Sequence, residues 1–210
     1  MTFDTPLTVR RPHGSYRFDV FSLKAGRRMT LFGKSALSQF IELEADHEVT
    51  ALCERPLLIP NCKPQRVVDF WAQRGESSHL YLLLSQAGAR DRDNPRPAWE
   101  DFRRWAAAER AVLHEVVVDA FKDRRTFHDN WASILQHLVA HRALVTASLL
   151  ERFAIELPPS FTLQQVEVRM ADLDAMLVRA GVFHLLTSGC LTCPSIGRAH
   201  LTPSTQFIRP

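Results

Sequence analysis

The stretch from residue 27 to residue 84 constrains the fold most, because helical, alternating and continuous apolar patterns follow one another there. A short amphipathic helix is predicted over 36–46, where four residues recur at helical spacing: Leu37, Phe40, Ile41 and Glu44. Residues 67–74 then alternate and carry a single carboxylate, Asp69, at the head of an aromatic run. Residues 77–85 are almost wholly apolar, as in a buried strand. This order predicts a helix and then two strands, with Asp69 near the start of the first strand.

The sequence on either side of this stretch continues the alternation of helix and strand. The further elements predicted are an extended lead-in over 1–33, one or two strands over 49–60, a loop over 87–99, a helix over 98–111 and a strand over 112–121. The helix carries Trp99, Phe102 and Trp105 on one face, and we assign these rings to core packing, not to base stacking. The pattern predicts an α/β domain with a mixed sheet flanked by helices.

The last third of the chain predicts a smaller and mainly helical region. Helices predicted from about 131 to 156 end before Pro158. Beyond it, Ser160 or Thr162 is positioned to cap another helix, and Gly189 is positioned to end the helix that follows. The final residues are expected to pair as a β-ribbon, and helices followed by a ribbon indicate a winged-helix-like domain. The sequence therefore predicts two domains: residues 1–145 and 146–210.

The composition indicates a globular protein that makes no contact with a membrane. The 210 residues are 46% hydrophobic and 23% charged, which is typical of soluble domains. No apolar run approaches the roughly 20 residues that a spanning helix needs, and the N-terminal residues lack the apolar core of a secretory signal. A cytoplasmic location is expected. The four cysteines are therefore predicted to be reduced thiols: Cys53, Cys62, Cys190 and Cys193.

Basic residues are concentrated in the first 35 positions, although the net charge of the whole chain is only +3. A basic arm of this kind attracts a phosphate backbone, because bound Lys and Arg side chains release counterions from nucleic acid. The alternative is an ordinary solvated surface. The residues predicted to contact DNA are Arg10, Arg11, Arg17, Lys24, Arg27, Arg28 and Lys34.

Two sets of potential metal ligands lie far apart in the sequence. Cys190 and Cys193 have the spacing of half a zinc site, and His137 and His141 lie four residues apart on a predicted helix. Because no second CxxC pair accompanies the first, we favour the alternative that both cysteines are small residues of a ribbon strand. No metal ligands are assigned.

Several passages together resemble the TnsA endonuclease subunits of cut-and-paste transposons. The similar passages are FSLKAGR (21–27), LEADHEVTALCERP (43–56), VVDFWAQR (67–74), and AAERAVLHEVVVDAF (107–121) with TFHDNWASILQHL (126–138). The resemblance extends over most of the chain and implies a restriction-endonuclease-like domain followed by a winged-helix-like region. It also implies a role in transposition, in which the family cuts the 5′ ends of the element beside a partner transposase.

The sequence departs from this family at the catalytic positions. Asp69 stands where the family has its metal-binding Asp, but Lys34 and Ser38 stand at two acidic positions of the helix. On the next strand, Leu82 and Leu84 stand in place of the expected acid or amide and the lysine. A single carboxylate without a lysine orients Mg²⁺ poorly for phosphodiester cleavage. We therefore expect no nuclease activity and no cofactor, with Mg²⁺ needed only if residual activity remains.

The expected function is that of a TnsA-like subunit that binds transposon-end DNA and an integrase-type transposase, with an AAA+ ATPase as a further partner. One alternative is an active metal-dependent endonuclease in which displaced acids complete the site, and the candidates are Glu42, Glu44 and Glu76. Another alternative is a winged-helix DNA-binding regulator unrelated to transposition.

Overall fold

The computed structural model describes residues 1–63, 65–85 and 97–210. These residues form two compact units, Met1–Asp123 and Arg124–Pro210. The division lies earlier than the predicted one between residues 145 and 146, since the helix that precedes position 145 packs within the second unit. Across the described ranges, no helix is both long and apolar enough to cross a membrane.

The first unit is built around a mixed four-stranded sheet. In chain order it contains strands β1 (Arg17–Ser22) and β2 (Arg27–Phe32), helix α1 (Lys34–Ala45), strands β3 (Val49–Glu54), β4 (Phe70–Arg74) and β5 (Ser77–Leu84), helix α2 (Pro97–Ala108), strand β6 (Ala111–Val117) and a 3₁₀ helix (Val118–Arg124). The sheet order is β3-β4-β5-β6, with antiparallel pairing except between β5 and β6. Parallel neighbours require a crossover, and α2 lies within it. The predicted α/β class, a mixed sheet flanked by helices, is confirmed.

Residues of β5 alternate between the two faces of the sheet. Leu80, Leu82 and Leu84 are buried in one apolar cluster with Trp71 of β4 and Phe102 of α2. Burial of each such side chain contributes about 1.5–3 kcal/mol, so this cluster holds α2 against the sheet. Helix α1 packs instead against β2 and β3.

The N-terminal residues form a hairpin that the sequence pattern did not predict. Strands β1 and β2 pair in antiparallel register from Arg17–Phe32 to Ser22–Arg27. Gly26 adopts a positive φ of 64° in the turn between them. Both strands alternate over part of their length, since Phe18 and Val20 are less exposed than the polar residue that precedes each of them in β1, and Met29 and Leu31 are buried in β2. Residues 1–33 are therefore only in part the extended lead-in that we expected.

Other differences concern the ends of elements and one aromatic residue. The strand expected to continue to residue 121 ends at Val117, and the helix expected from about 131 begins at Arg125. The loop predicted over 87–99 lies mostly outside the described residues, and its last three positions belong to α2. Trp105 was assigned to the core but is 37% exposed, because it lies on the outer side of α2 and stacks on Phe102 at 5.3 Å.

The second unit consists of four helices and a small antiparallel sheet within residues 124–210. Its elements are helices α3 (Arg125–His141) and α4 (Ala147–Glu156), strand β7 (Ser160–Thr162), helices α5 (Leu163–Arg169) and α6 (Ala175–Thr187), and strand β8 (Gln206–Ile208). Thr162 caps α5 in a capping box with Gln165, and Gly189 adopts a positive φ just after α6. Both predicted helix ends are confirmed.

The ribbon of the second unit has three parts. Strand β8 pairs with β7, and Thr192 forms an isolated antiparallel bridge with Ile208 of β8. The predicted pairing of the segment around Cys190–Cys193 with the C-terminal residues is thus reduced to one bridge. Between Thr192 and β8 the chain makes a long loop, and Asn130 of α3 holds it by hydrogen bonds.

Candidate functional site

Asp69 lies immediately before β4, next to the end of β5. Its backbone N–H donates to the Tyr81 carbonyl at 3.0 Å, which fixes the residue against the neighbouring strand. Its Oδ2 atom accepts hydrogen bonds from the Leu83 N–H at 2.8 Å and from Arg66 Nη2 at 2.9 Å. The same Arg66 Nη2 atom donates to the Leu83 carbonyl at 2.6 Å. Asp69, Arg66 and the Leu83 peptide therefore form a closed polar cluster, which we call the Asp69 cluster.

The electrostatics of the Asp69 cluster combine opposing effects. Burial raises the pKa of Asp69, while the Arg66 guanidinium and the Leu83 N–H act in the opposite direction. The Asp69 side chain remains 26% exposed and that of Arg66 35% exposed, so both groups are accessible to a ligand. The Asp69 carboxylate is thus paired with the guanidinium of Arg66 at 2.9 Å.

A cavity of about 570 Å³ adjoins the Asp69 cluster. Its walls come from residues 7–12, the end of β2, the start of α1 and the segment from 65 to 70. Three arginines and two carboxylates line it: Arg10, Arg55, Arg66, Glu54 and Asp69. A volume of this size lies in the range of small-molecule and nucleotide sites.

Glu54 forms a buried ion-pair network at this cavity. The residue is 2% exposed, and its two carboxylate oxygens accept from Arg27 Nη1 at 3.1 Å and Nη2 at 2.7 Å. Arg55 Nη2 lies 3.7 Å from the same carboxylate, and the guanidinium of Arg55 is 5.3 Å from the centre of the Phe32 ring. Glu54, Arg55 and Arg66 were not predicted as site residues, because the only local signal is the three-residue spacing of Arg66 and Asp69, which is compatible with an ion pair.

The resemblance to TnsA subunits implies catalytic groups at three further positions, and the residues that stand there do not join the Asp69 cluster. Leu82 is fully buried and Leu84 is 6% exposed, and both belong to the apolar cluster under α2. The β5 residue that contacts Asp69 is Leu83, through its backbone alone. Ser38 lies half-buried on α1 and does not line the cavity. Asp69 is the only one of these four positions that presents an acid.

None of the displaced acids considered for an active endonuclease lines the cavity beside Asp69. Glu44 is 1% exposed and accepts from Ser22 Oγ at 2.5 Å, and burial raises its pKa. Glu76 is exposed in the turn between β4 and β5, at the end of the hairpin opposite to Asp69. Glu42 lies half-buried on α1.

The predicted DNA-binding residues fall into two groups. Two are engaged within the protein: Arg27 binds Glu54, and Lys24 Nζ donates to the carbonyls of Leu43 and Asp46 at the end of α1. Burial lowers the pKa of Lys24 to about 8. The other five side chains are exposed, namely Arg10, Arg11, Arg17, Arg28 and Lys34, although Arg17 forms a bidentate pair with Asp19.

The candidate zinc ligands do not assemble into a site within the described ranges, where no group of three or more His, Cys, Asp or Glu residues is arranged to hold a metal. Cys193 is buried but Cys190 is exposed, and neither belongs to a strand, so only the burial predicted for Cys193 is confirmed. His137 Nε2 contacts the Met176 carbonyl at 2.7 Å, and His141 Nδ1 contacts the His137 carbonyl at 2.8 Å.

A second polar cluster joins β5 to β6. The rings of His79 and His114 are stacked, and His79 Nδ1 lies 2.8 Å from His114 Nε2. Tyr81 stacks on His114 with 4.6 Å between ring centres. Burial lowers the pKa of both histidines, and the positive charge of Arg74 acts in the same direction, whereas Asp46 opposes it at His79.

Acidification is expected to destabilise the first unit through this histidine pair. Because both histidines have a lower pKa in the folded state, the unfolded chain binds more protons below about pH 6.5, and stability falls as the pH decreases. Thermal unfolding between pH 7.5 and 5.5 measures the effect. The decrease should become smaller in His114→Gln and stay unchanged in His200→Gln, a matched substitution of an exposed histidine. An equal decrease in all three proteins would contradict the assignment.

No family model matches the chain, and no curated protein has significant sequence similarity to it.

Proposed function

We propose that this protein is a TnsA-like subunit of a transposition machinery that binds DNA and has lost nuclease activity. The observation that supports this most is the Asp69 cluster. One carboxylate stands at the head of a strand in a mixed sheet flanked by helices, where the resemblance implies a metal-dependent nuclease site. Its Oδ2 atom is bound by Arg66 and by a peptide N–H, and Leu82 and Leu84 are buried elsewhere. A site of this kind lacks the ligands that hold and activate Mg²⁺.

The DNA role rests on the exposed basic side chains of the first unit. Arg10, Arg11, Arg28 and Lys34 are exposed, and Arg10 lines the cavity beside Asp69. Phosphate contacts by such side chains give binding that weakens with salt. The integrase-type transposase and the AAA+ ATPase belong to the proposal only through the resemblance.

Incubation of the purified protein with end-labelled duplex DNA in Mg²⁺ or Mn²⁺ tests both halves of the proposal. We expect retarded mobility without strand cleavage. The double variant Arg10→Ala/Arg11→Ala should bind more weakly and reduce the slope of log affinity against log salt by about 2, roughly one for each lost phosphate contact. Arg17→Ala is the matched control, because the Arg17 guanidinium is already bound by Asp19.

Two results would overturn the proposal in different ways. Metal-dependent cuts that disappear in Asp69→Ala would favour the alternative of an active endonuclease. A failure to bind DNA at any salt concentration would remove the nucleic-acid role.

The second candidate is a winged-helix DNA-binding regulator, which the element order of the second unit favours. Helices α4, α5 and α6 are followed by the Thr192 bridge, a loop and β8. The loop exposes Arg198 and His200. If Arg198→Ala abolished DNA binding while Arg10→Ala/Arg11→Ala left it intact, this candidate would replace the first.

A further inference from the structure

One oxygen of the Asp69 carboxylate is bound by two donors of the protein itself. Its Oδ2 atom accepts from Arg66 Nη2 at 2.9 Å and from the Leu83 N–H at 2.8 Å. Arg66 Nη2 also donates to the Leu83 carbonyl at 2.6 Å, so both hydrogens of this nitrogen are used. The guanidinium therefore provides the positive charge that a carboxylate in such a site would otherwise take from a metal ion.

Arg66 retains donors for a ligand. A guanidinium carries five N–H groups, and the Nε and Nη1 atoms of Arg66 have no acceptor among the described residues. The side chain is 35% exposed and lines the cavity of about 570 Å³. The Nε–H lies on the Nη2 side of the guanidinium and forms no fork with Nη1, so Nη1 remains as a separate charged donor for one phosphate oxygen.

The remainder of the cavity favours an anion. Of the charged residues that line it, Arg10 is exposed and unpaired with any described carboxylate, while Glu54 is neutralised by Arg27 and flanked by Arg55. The start of α1 also contributes to the wall, through Ala36. This helix has neither a side-chain cap nor an acidic residue in its first turn, so its positive dipole end is uncompensated.

The apolar part of the cavity wall can pack against the sugar or base of a nucleotide. Leu7, Val9, Pro12, Phe32 and Leu58 line the cavity beside the arginines. A sugar or base packs against such side chains while its phosphate binds the guanidinium groups. The ligand class that combines both features is a nucleotide, the phosphate ester of a nucleoside.

We propose that Arg66 stands in for the metal ion of a nuclease-type site, so that this cavity binds a nucleotide phosphate without a metal and without cleaving it. The phosphate accepts from Nη1 of Arg66, with help from Arg10. A guanidinium neutralises phosphate charge but generates no metal-bound hydroxide, so binding is separated from hydrolysis. The inference rests on the proposed DNA role for the source of the phosphate, which is either a nucleic-acid strand or a free nucleotide.

Fluorescence anisotropy with a short labelled single-stranded oligonucleotide tests the inference, in EDTA and in Mg²⁺. The affinity should be the same in both buffers and should fall roughly tenfold in Arg66→Gln, as expected for the loss of one hydrogen bond from a charged donor to a phosphate oxygen. Arg10→Gln should also weaken binding, and because Arg10 is exposed this variant keeps the test valid if Arg66→Gln fails to fold. Arg103→Gln is the matched control, since its ion pairs with Glu100 and Glu115 lie outside the cavity.

Two measurements distinguish a nucleic-acid strand from a free nucleotide as the source of the phosphate. One is competition between adenosine monophosphate and the oligonucleotide, and the other is the shift of the Leu83 amide signal in ¹⁵N spectra. Displacement of the oligonucleotide by adenosine monophosphate, with a shift of the Leu83 signal, would support the cavity as the site and a free nucleotide as a sufficient ligand. A Leu83 shift with the oligonucleotide alone would support a strand.

Oligonucleotide binding that required Mg²⁺, or that was unchanged in both Arg66→Gln and Arg10→Gln, would overturn the inference. The proposed function would survive in the second case if duplex DNA still bound through other basic residues. A Leu83 shift with adenosine monophosphate in a protein that bound no DNA would retain the inference and remove the proposed function.

Discussion

Replacement of Glu54 by alanine is expected to lower the free energy of unfolding of the first unit by about 3–5 kcal/mol. The carboxylate is 3% exposed and is bound by both Nη atoms of Arg27 at 3.1 and 2.7 Å. The variant leaves two guanidinium groups, those of Arg27 and Arg55, without the charge that compensates them. Removal of one partner of a buried pair costs more than the pair itself contributes, because the remaining charge stays partly desolvated.

The effect should reach the cavity as well as the overall stability. Arg55 Nε donates to the Leu7 carbonyl at 3.2 Å and Nη1 to the Thr30 carbonyl at 2.5 Å, so this side chain ties the N-terminal segment to β2. We expect the segment from residue 7 to residue 12 to loosen when Glu54 no longer holds Arg55. Hydrogen exchange at the Leu7 amide, which donates to the Arg55 carbonyl at 2.9 Å, measures this directly.

Chemical denaturation of Glu54→Ala, Glu54→Gln and Arg17→Ala separates this explanation from a general loss of surface charge. Glu54→Gln keeps an acceptor for Arg27 and should cost less than Glu54→Ala. Arg17→Ala disrupts an exposed pair with Asp19 and should cost little. Equal midpoints for Glu54→Ala and Arg17→Ala would show that Glu54 is not a structural anchor of the cavity.

The fold of the central stretch was predictable because its information is local. Helix α1, strands β4 and β5 and the turn between them follow from periodicity and turn residues, and each begins within two or three residues of its predicted position. The β1–β2 hairpin was missed because the polar and apolar residues of β1 alternate only over Arg17–Val20, which is too short a signal to predict a strand. Its strands are specified by pairing with each other, which a local pattern does not reveal.

The candidate site was predictable only in one residue. Asp69 was identified from its position before an aromatic strand, but its partners come from positions that sequence reasoning had no cause to connect. Leu83 contributes a peptide group, and any residue type at that position supplies the same N–H and carbonyl. Glu54 and Arg27 are 27 residues apart, and their pairing depends on the way β2 lies beside β3.

Leu82 and Leu84 were predicted to belong to a buried strand, and in the structure both lie in the apolar cluster with Trp71 and Phe102. The β5 residue that binds the Asp69 carboxylate is Leu83, through its backbone N–H, so the contact does not depend on the alternation of side chains along the strand.

Replacement of Asn130 by alanine is expected to destabilise the second unit by about 2–4 kcal/mol, because three hydrogen bonds are lost at a buried position. Asn130 is 3% exposed. Its Nδ2 atom donates to the carbonyls of Ile196 and Ala199 at 2.7 and 2.8 Å, and its Oδ1 atom accepts from the Leu201 N–H at 3.1 Å. One side chain of α3 thus satisfies three backbone groups of the loop that precedes β8.

Aspartate at position 130 is not expected to rescue the loop, because a carboxylate faces the two carbonyls with no hydrogen to donate. Ser133→Ala is the matched control on the same helix, since Ser133 is exposed and its hydroxyl bonds only to the Asp129 carbonyl. This control should change stability by about 0.5 kcal/mol or less. Chemical denaturation measures the change in the free energy of unfolding, and hydrogen exchange at the Leu201 amide measures local opening of the loop.

The Asn130→Ala variant also tests whether the loop that precedes β8 contacts DNA. Arg198 and His200 lie between the backbone groups that Asn130 binds, so this amide fixes the backbone that carries them, together with the hydrogen bond from the Arg198 N–H to the Ser195 carbonyl at 2.8 Å. If the loop contacts DNA, Asn130→Ala should weaken DNA binding, while Ser133→Ala should not. Unchanged exchange at Leu201 in Asn130→Ala would mean that the loop is held by the β8 pairing instead, and the proposed role of Asn130 would be wrong.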